Sequence, residues 1–135
     1  MSFAPYLSFN GTCAQAMTFY AGVFAAKDLQ IMTVSQAPAG SYPAVADQGF
    51  VMHSQLTVGG ATLMASDNPE GKPVPQTGFS IHFTARVLAS AESIFTELGD
   101  GGTIQMPFAK TFWSPGFGAL RDRFGTNWMV SAPAD

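Results

Sequence analysis

Two segments of this chain, GATLMAS at residues 60–66 and GTNWMVS at residues 125–131, carry a glycine, an apolar residue, a Met, a small residue and a Ser at the same spacing. A second pair supports the repeat. YLSFNGTCAQAMTFY at 6–20 and SIHFTARVLASAESIF at 80–95 both run from a short alternating strand through a small-residue break into a helix ending in aromatics. A period of about half the chain means two related units that complete one another, and it restricts the fold before any single element is assigned.

In the first unit, residues 3–9 alternate, with Leu7 and Phe9 on one side and Tyr6 and Ser8 on the other, the pattern of a half-buried strand. Asn10, Gly11 and Thr12 supply turn and N-cap chemistry for a helix over 13–24, where Cys13, Ala16, Met17, Tyr20 and Phe24 recur at steps of three and four. Gly22 weakens its last turn. A strand over 29–35, an exposed Pro- and Ala-rich loop over 37–49, and two strands over 50–58 and 61–66 follow, the last two joined by the hairpin signal Gly59-Gly60. The order is β-α-β-β-β.

Residues 67–77, DNPEGKPVPQT, hold three prolines and form the expected linker between a first unit of about 1–68 and a second of about 78–135. A strand over 79–84 then sets Phe79, Ile81 and Phe83 against Ser80, His82 and Thr84. Ala91, Ile94, Phe95 and Leu98 make a helical stripe stopped by Gly99 and the Gly101-Gly102 pair. Strands over 103–108, 117–122 and 126–131 repeat the β-α-β-β-β order. Asp122 and Gly125 are expected to build the last hairpin turn, and Asp67 to act as a local cap or turn former.

A chain of 135 residues with 47% hydrophobic and 13% aromatic residues is sized for a single domain with a real core. Charged residues are only 11%, against roughly a quarter in an average soluble domain, so part of the surface is expected to lie under a second subunit of a homodimer. The net charge of −3 with no basic cluster lacks the footprint of a phosphate-backbone binder, so no nucleic acid partner is expected. No run of eighteen apolar residues marks a membrane span, and MSFAPYLSF has neither a basic leader nor a long apolar stretch, so no membrane partner and a cytoplasmic location are expected. Cys13 has no internal partner, and a lone thiol inside a helical pattern is a small buried hydrophobe rather than a nucleophile.

A tandem β-α-β-β-β order whose last hairpin reads strand, Arg-Asp-x-x-Gly, strand resembles the vicinal oxygen chelate superfamily of glyoxalase I, fosfomycin-resistance proteins, extradiol dioxygenases and bleomycin-binding proteins. More narrowly, PYLSFNGTCAQAMTFY, LMASDNPEGK and KTFWSPGFGALRDRFGTNWM are similar to its PhnB-like branch, and the TFW-x-x-GFG-x-x-x-D-x-FG pattern at 111–125 is the specific part. The resemblance implies an α+β fold of two tandem βαβββ units forming a curved mixed sheet around a cavity, the glyoxalase-like fold, usually within a homodimer.

In metal-dependent members each unit offers a ligand on its first strand and another on its last. Carried over by position, those slots fall at Pro5 or Tyr6, Met64, Phe79 or Ser80, and Met129. Two thioethers with a Ser and a Tyr or Pro do not supply the nitrogen and carboxylate donors such an ion needs, so neither metal nor cofactor is expected and Lewis-acid chemistry is not transferred. Some members of the branch carry the label of a 3-demethylubiquinone methyltransferase, yet no glycine-rich strand-to-helix turn is present to hold a nucleotide-like methyl donor.

With first and last strands lining the cavity, its inward set is Tyr6, Ser8, Met64, Ser66, Ser80, His82, Asn127 and Met129, an apolar pocket with a few hydroxyls. His82 is the one member able to act as a general base near neutral pH and is the catalytic candidate; the alternative is that it satisfies a neighbouring Ser or carbonyl. His53, in a row with Gln55 and Thr57, is expected on a solvated or dimer-facing side. Phe112, Trp113 and Phe117 flank Ser114-Pro115-Gly116 and suit a pocket lid or a subunit interface, with core filling as the alternative.

The leading expectation is a binding protein or metal-independent enzyme that holds a small, largely apolar organic molecule between its two units. One alternative is a metal-dependent lyase, transferase or dioxygenase-type enzyme with ligands recruited from His53 and His82. The other is a protein-interaction module whose pocket is filled by its own side chains.

Overall fold

Each repeat builds a four-stranded mixed sheet whose first and last strands run side by side and parallel. The structure is a computed structural model describing residues 1–41, 47 and 49–134; positions 42–46 and 48 of the expected loop lie outside the described residues. Two compact units divide at Pro75 and Gln76, within the proline-rich stretch.

The first unit contains β1 (Tyr6–Phe9), α1 (Cys13–Val23), β2 (Gln30–Thr33), a 3-10 turn (Val34–Gln36), β3 (Val51–Val58) and β4 (Ala61–Asp67), with sheet order β1-β4-β3-β2. The expected strand over 29–35 is therefore shorter and ends in the 3-10 turn, where the Gln36 side chain accepts the Thr33 N–H at 2.8 Å. Gly59 and Gly60 both take positive φ, 56° and 83°, which lets the β3–β4 hairpin turn with the twist of its strands. Leu7, Phe9, Leu56 and Leu63 are buried on one side of the sheet with Cys13, Ala16, Met17 and Tyr20 of α1. Burying each large member stabilises the unit by about 1.5–3 kcal/mol. A register shift places Met52 as an extra residue between the Met32–His53 and Thr33–Val51 pairs. The alternation is thereby broken, and Val51 is buried like Ser54 and Leu56.

The start of α1 departs from the expectation. Thr12 makes no side-chain cap. Asp67, expected to act locally, is instead the last residue of β4 and is buried. Its Oδ1 accepts the N–H groups of Gly11 at 2.8 Å and Cys13 at 3.1 Å, and its Oδ2 that of Val51 at 2.9 Å. A carboxylate at a helix N-terminus satisfies orphan donors and favours the helix dipole.

At the other end of α1, Ala26 donates to the Ala21 carbonyl at 2.9 Å and Ala25 to Gly22 at 3.3 Å. This is a Schellman closure, but Ala25 occupies its left-handed position with φ 54°, a place glycine takes more easily. Cys13 is fully buried, with its sulfur 3.4 Å from Ser54 Oγ, which donates to the Ala65 carbonyl at 2.8 Å. Burial pushes the thiol up to about 12, with the Ser54 contact opposing and the Asp67 charge adding to that rise.

The second unit contains β5 (Ile81–Thr84), α2 (Leu88–Leu98), β6 (Thr103–Ala109), β7 (Phe117–Arg121) and β8 (Asn127–Ser131), with sheet order β5-β8-β7-β6. Ala91, Phe95 and Leu98 are buried under the sheet, and Gly99 closes the helix. The GFG sequence has a packing reason: a methyl group on Gly118 would run into the Phe95 ring, and one on Gly116 into Phe108 and Leu88. Asp122 is buried at the β7–β8 turn. Its Oδ1 accepts Phe124 N–H at 2.8 Å and Thr126 N–H at 3.0 Å, and its Oδ2 accepts the Trp128 indole N–H at 2.9 Å. Gly125 supplies the positive φ of 93° that this turn requires.

Candidate functional site

In each unit the helix covers one side of the sheet, and the side chains of interest sit on the other. In the first unit Tyr6 is the Cα partner of Met64, which in turn faces Gln55, while Ser8 pairs with Ser66 in the next row. The strand alternation that buries Leu7 and Phe9 thus turns Tyr6 and Ser8 away from α1. Parallel pairing is anchored at its edge by the Pro5 carbonyl, which accepts the Met64 N–H at 3.1 Å.

His53 stands in its expected row with Gln55 and also meets Tyr6 of this set. Tyr6 Oη lies 3.0 Å from His53 Nδ1, with ring centroids 5.7 Å apart, and His53 Nε2 lies 3.0 Å from Gln55 Oε1. A carbonyl oxygen only accepts, so Nε2 carries the hydrogen in that contact, and Nδ1 is left to the Tyr6 hydroxyl. The result is a relay from phenol through imidazole to amide. Tyr6 and His53 are 47 residues apart, and no local motif announces their pairing.

In the second unit His82 is the partner of Met129, and Thr84 of Ser131. Across the antiparallel β7–β8 pair, Ser131 faces Phe117, Met129 faces Ala119 and Asn127 faces Arg121. His82 Nε2 lies 2.7 Å from Ser131 Oγ, so the histidine does engage a serine. One imidazole nitrogen is held in place and the ring is oriented, while no contact among the described residues is recorded for Nδ1. Asn127 is committed to structure, its Nδ2 donating to the carbonyls of Gln76 at 3.2 Å and Phe79 at 3.3 Å. Ser80 lies ahead of β5, which begins at Ile81 rather than at the expected residue 79, and is exposed outside the paired rows.

The aromatic loop is braced from within. Thr111 N–H donates to the Ser114 carbonyl at 3.0 Å, Ser114 Oγ donates to the Gly116 carbonyl at 2.7 Å, and Ala132 N–H reaches the same Gly116 carbonyl at 2.8 Å. Phe112 is 97% exposed and Trp113 52% exposed within the chain, so neither fills the core. The Phe112 and Trp113 rings meet edge to face at 4.7 Å, and Trp113 meets Phe117 at 5.5 Å and 68°. Phe117 is half-buried and joins the loop to the row containing Ser131.

The repeat register pairs Tyr6 with Met64 and His82 with Met129, so the second first-strand slot falls on His82 and not on Phe79 or Ser80. Neither a thioether with a phenol already bound to an imidazole, in the first unit, nor a thioether with one histidine, in the second, fits a hard or borderline divalent ion. Among the described residues no three His, Cys, Asp or Glu side chains are grouped to hold one. A methyl donor fits no better at the strand-to-helix turns. The β1–α1 turn has a single glycine whose N–H is taken by Asp67, and the β5–α2 turn, Ala85-Arg86-Val87, has none.

A family model described as 3-demethylubiquinone-9 3-methyltransferase matches residues 1–131. The protein YjdN of Escherichia coli (strain K12) is 28% identical over 140 residues, spanning 97% of this chain and 95% of that protein. The crystal structure of protein PA1353 from Pseudomonas aeruginosa is 39% identical, covers 100% of this chain and 99% of that one, and superposes with a TM-score of 0.85. At 14% identity, a glyoxalase/bleomycin resistance protein from Albidiferax ferrireducens T118 shares the fold over 99% of both chains with a TM-score of 0.65. The chain belongs to the family described as 3-demethylubiquinone-9 3-methyltransferase, and the two helices and two four-stranded mixed sheets among the described residues give it the α+β glyoxalase-like fold of two tandem units.

Proposed function

We propose that this protein holds a small, largely apolar organic molecule without a metal ion, on the sheet faces its helices leave uncovered, as a binding protein or as an enzyme with His82 as proton acceptor. The observation that carries the reading is the chemistry at the paired first and last strands. Tyr6 and Met64 in one unit, and His82 and Met129 in the other, offer thioether surface and hydrogen-bonding groups already oriented by His53 and Ser131. Such a mixture of apolar lining and a few fixed polar groups is what small-molecule sites use for affinity and orientation. Neither strand-to-helix turn suits the donor that methyl transfer would need.

The test has two arms. Incubation with Zn²⁺, Mn²⁺ and Ni²⁺ followed by desalting and elemental analysis is expected to leave well under one ion per chain. A thermal-shift screen of small apolar compounds is expected to give stabilising hits that His82→Ala and Tyr6→Phe weaken. A stoichiometric ion would defeat the metal-free reading; loss of that ion in a His53→Ala, His82→Ala double variant would assign the site to the two histidines. No stabilisation by any compound would favour a protein-interaction module. The proposal includes a homodimer, supported by the 11% charged residues and by exposed Val87, Leu88, Ile104 and Met106 in the second unit. Light scattering that returned the mass of one chain would remove it.

A further inference from the structure

The side of the second sheet turned away from α2 carries a positive side chain that a purely apolar ligand would leave unmatched. Three rows cross β5, β8 and β7: Thr84, Ser131 and Phe117; His82, Met129 and Ala119; then Asn127 and Arg121. Residues at even spacing along a strand share a face, so Phe117, Ala119 and Arg121 lie in line on β7. Arg121 is half-buried, its guanidinium lies alongside Gly125, and no ion-pair partner is recorded for it among the described residues.

Among the described residues no acid of the unit balances it on that face. The unit's described carboxylates are Glu92 and Glu97 on α2 on the opposite side of the sheet, Asp100 paired with Arg123, and Asp122 held by the hairpin turn. A half-buried guanidinium without a carboxylate partner, in a chain of net charge −3, marks a place where an anion from outside is favoured. Four residues along the same strand, about 13 Å away at strand rise, Phe117 stands edge to face with half-exposed Trp113. Between the two ends lie Met129 and the imidazole of His82, fixed by Ser131.

We infer that this face takes an elongated organic anion, a carboxylate seated at Arg121 and a flat aromatic ring packed on Trp113 and Phe117, with its middle passing His82. The assignment rests on the small-molecule reading and narrows it to a ligand class. Arg121 sets the preference for charge, since its planar fork matches a carboxylate in two hydrogen bonds. Trp113 supplies ring contact that is indifferent to charge.

Titration calorimetry of the intact chain with biphenyl-4-carboxylate and with biphenyl-4-carboxamide tests this directly. The carboxylate is expected to bind about tenfold or more tightly than the amide, the range a charge-assisted pair supplies. Arg121→Gln should erase that preference, Arg121→Lys should retain part of it, and Trp113→Ala should weaken both probes by a similar factor. Thermal unfolding of each variant confirms that it is folded. Equal binding of the two probes, or a preference that survives Arg121→Gln, overturns the inference. If neither probe binds while neutral compounds still stabilise the protein, the anion assignment fails and the small-molecule reading stands. If no compound of either kind binds, both fail together.

Discussion

In the first unit a buried carboxylate ends the last strand and holds the start of the helix; in the second, the corresponding position after β8 is Ala132, and the buried carboxylate, Asp122, sits at the hairpin instead. Both units keep the same register, with the repeated Met opposite the first strand's outward residue, Tyr6 in one and His82 in the other. What differs is the side chain that locks the arrangement. Asp67 ties α1 to β3 and β4, whereas Val87 at the start of α2 has no side-chain cap and Asp122 ties the β7–β8 turn to Trp128. A repeat therefore conserves the geometry of its strands more strictly than the polar groups that pin it.

The sharpest way to break this comparison is Asp67→Ala, which leaves three N–H donors without their acceptor at a buried site. A loss of about 3 kcal/mol or more is expected in denaturant unfolding. Asp122→Ala should cost less, about 2 kcal/mol, because its partners lie within one hairpin whereas those of Asp67 come from segments 16 to 56 residues away, and it should shift the fluorescence of Trp128 as the indole loses its partner. Equal costs would mean that the two carboxylates are interchangeable anchors.

Cys13 separates the units by pH. Its thiol is raised from 9.0 to about 12 in the folded protein, so the folded state keeps a proton that the unfolded chain releases. Its contribution is fully present below about pH 9 and is lost as pH rises toward 12, at a slope of about 1.4 kcal/mol per pH unit. Unfolding of the parent and Cys13→Ala between pH 8 and 11 should show a steeper alkaline decline in the parent. The smallest effect expected is a gain. Ala25→Gly places glycine at the left-handed Schellman position and should stabilise the first unit by about 1 kcal/mol in the same assay.

Much of the strand layout was legible because alternation is local. Leu7 and Phe9 against Tyr6 and Ser8, or the Gly59-Gly60 turn, need only neighbouring residues to be read. The helical stripes of Cys13, Ala16, Met17 and Tyr20, and of Ala91, Phe95 and Leu98, were visible for the same reason. The contacts that define the candidate site were not. Tyr6 meets His53 and His82 meets Ser131 across 47 and 49 residues, distances set by parallel pairing that sequence periodicity does not encode. Asp67 reads as a local cap or turn former because it directly follows the expected last strand of the first unit, yet its partners are as many as 56 residues away. The extra residue at Met52 put Val51 on the buried side, which simple alternation would have left outside.

The parallel pairing of β1 with β4 also orders events on the ribosome. The apolar strand bearing Leu7 and Phe9 is synthesised well before its neighbour, and the β3–β4 hairpin, closed by two glycines, assembles first because its contacts are local. Until β4 arrives, the N–H and C=O groups of the early strand that face it lack their native partners.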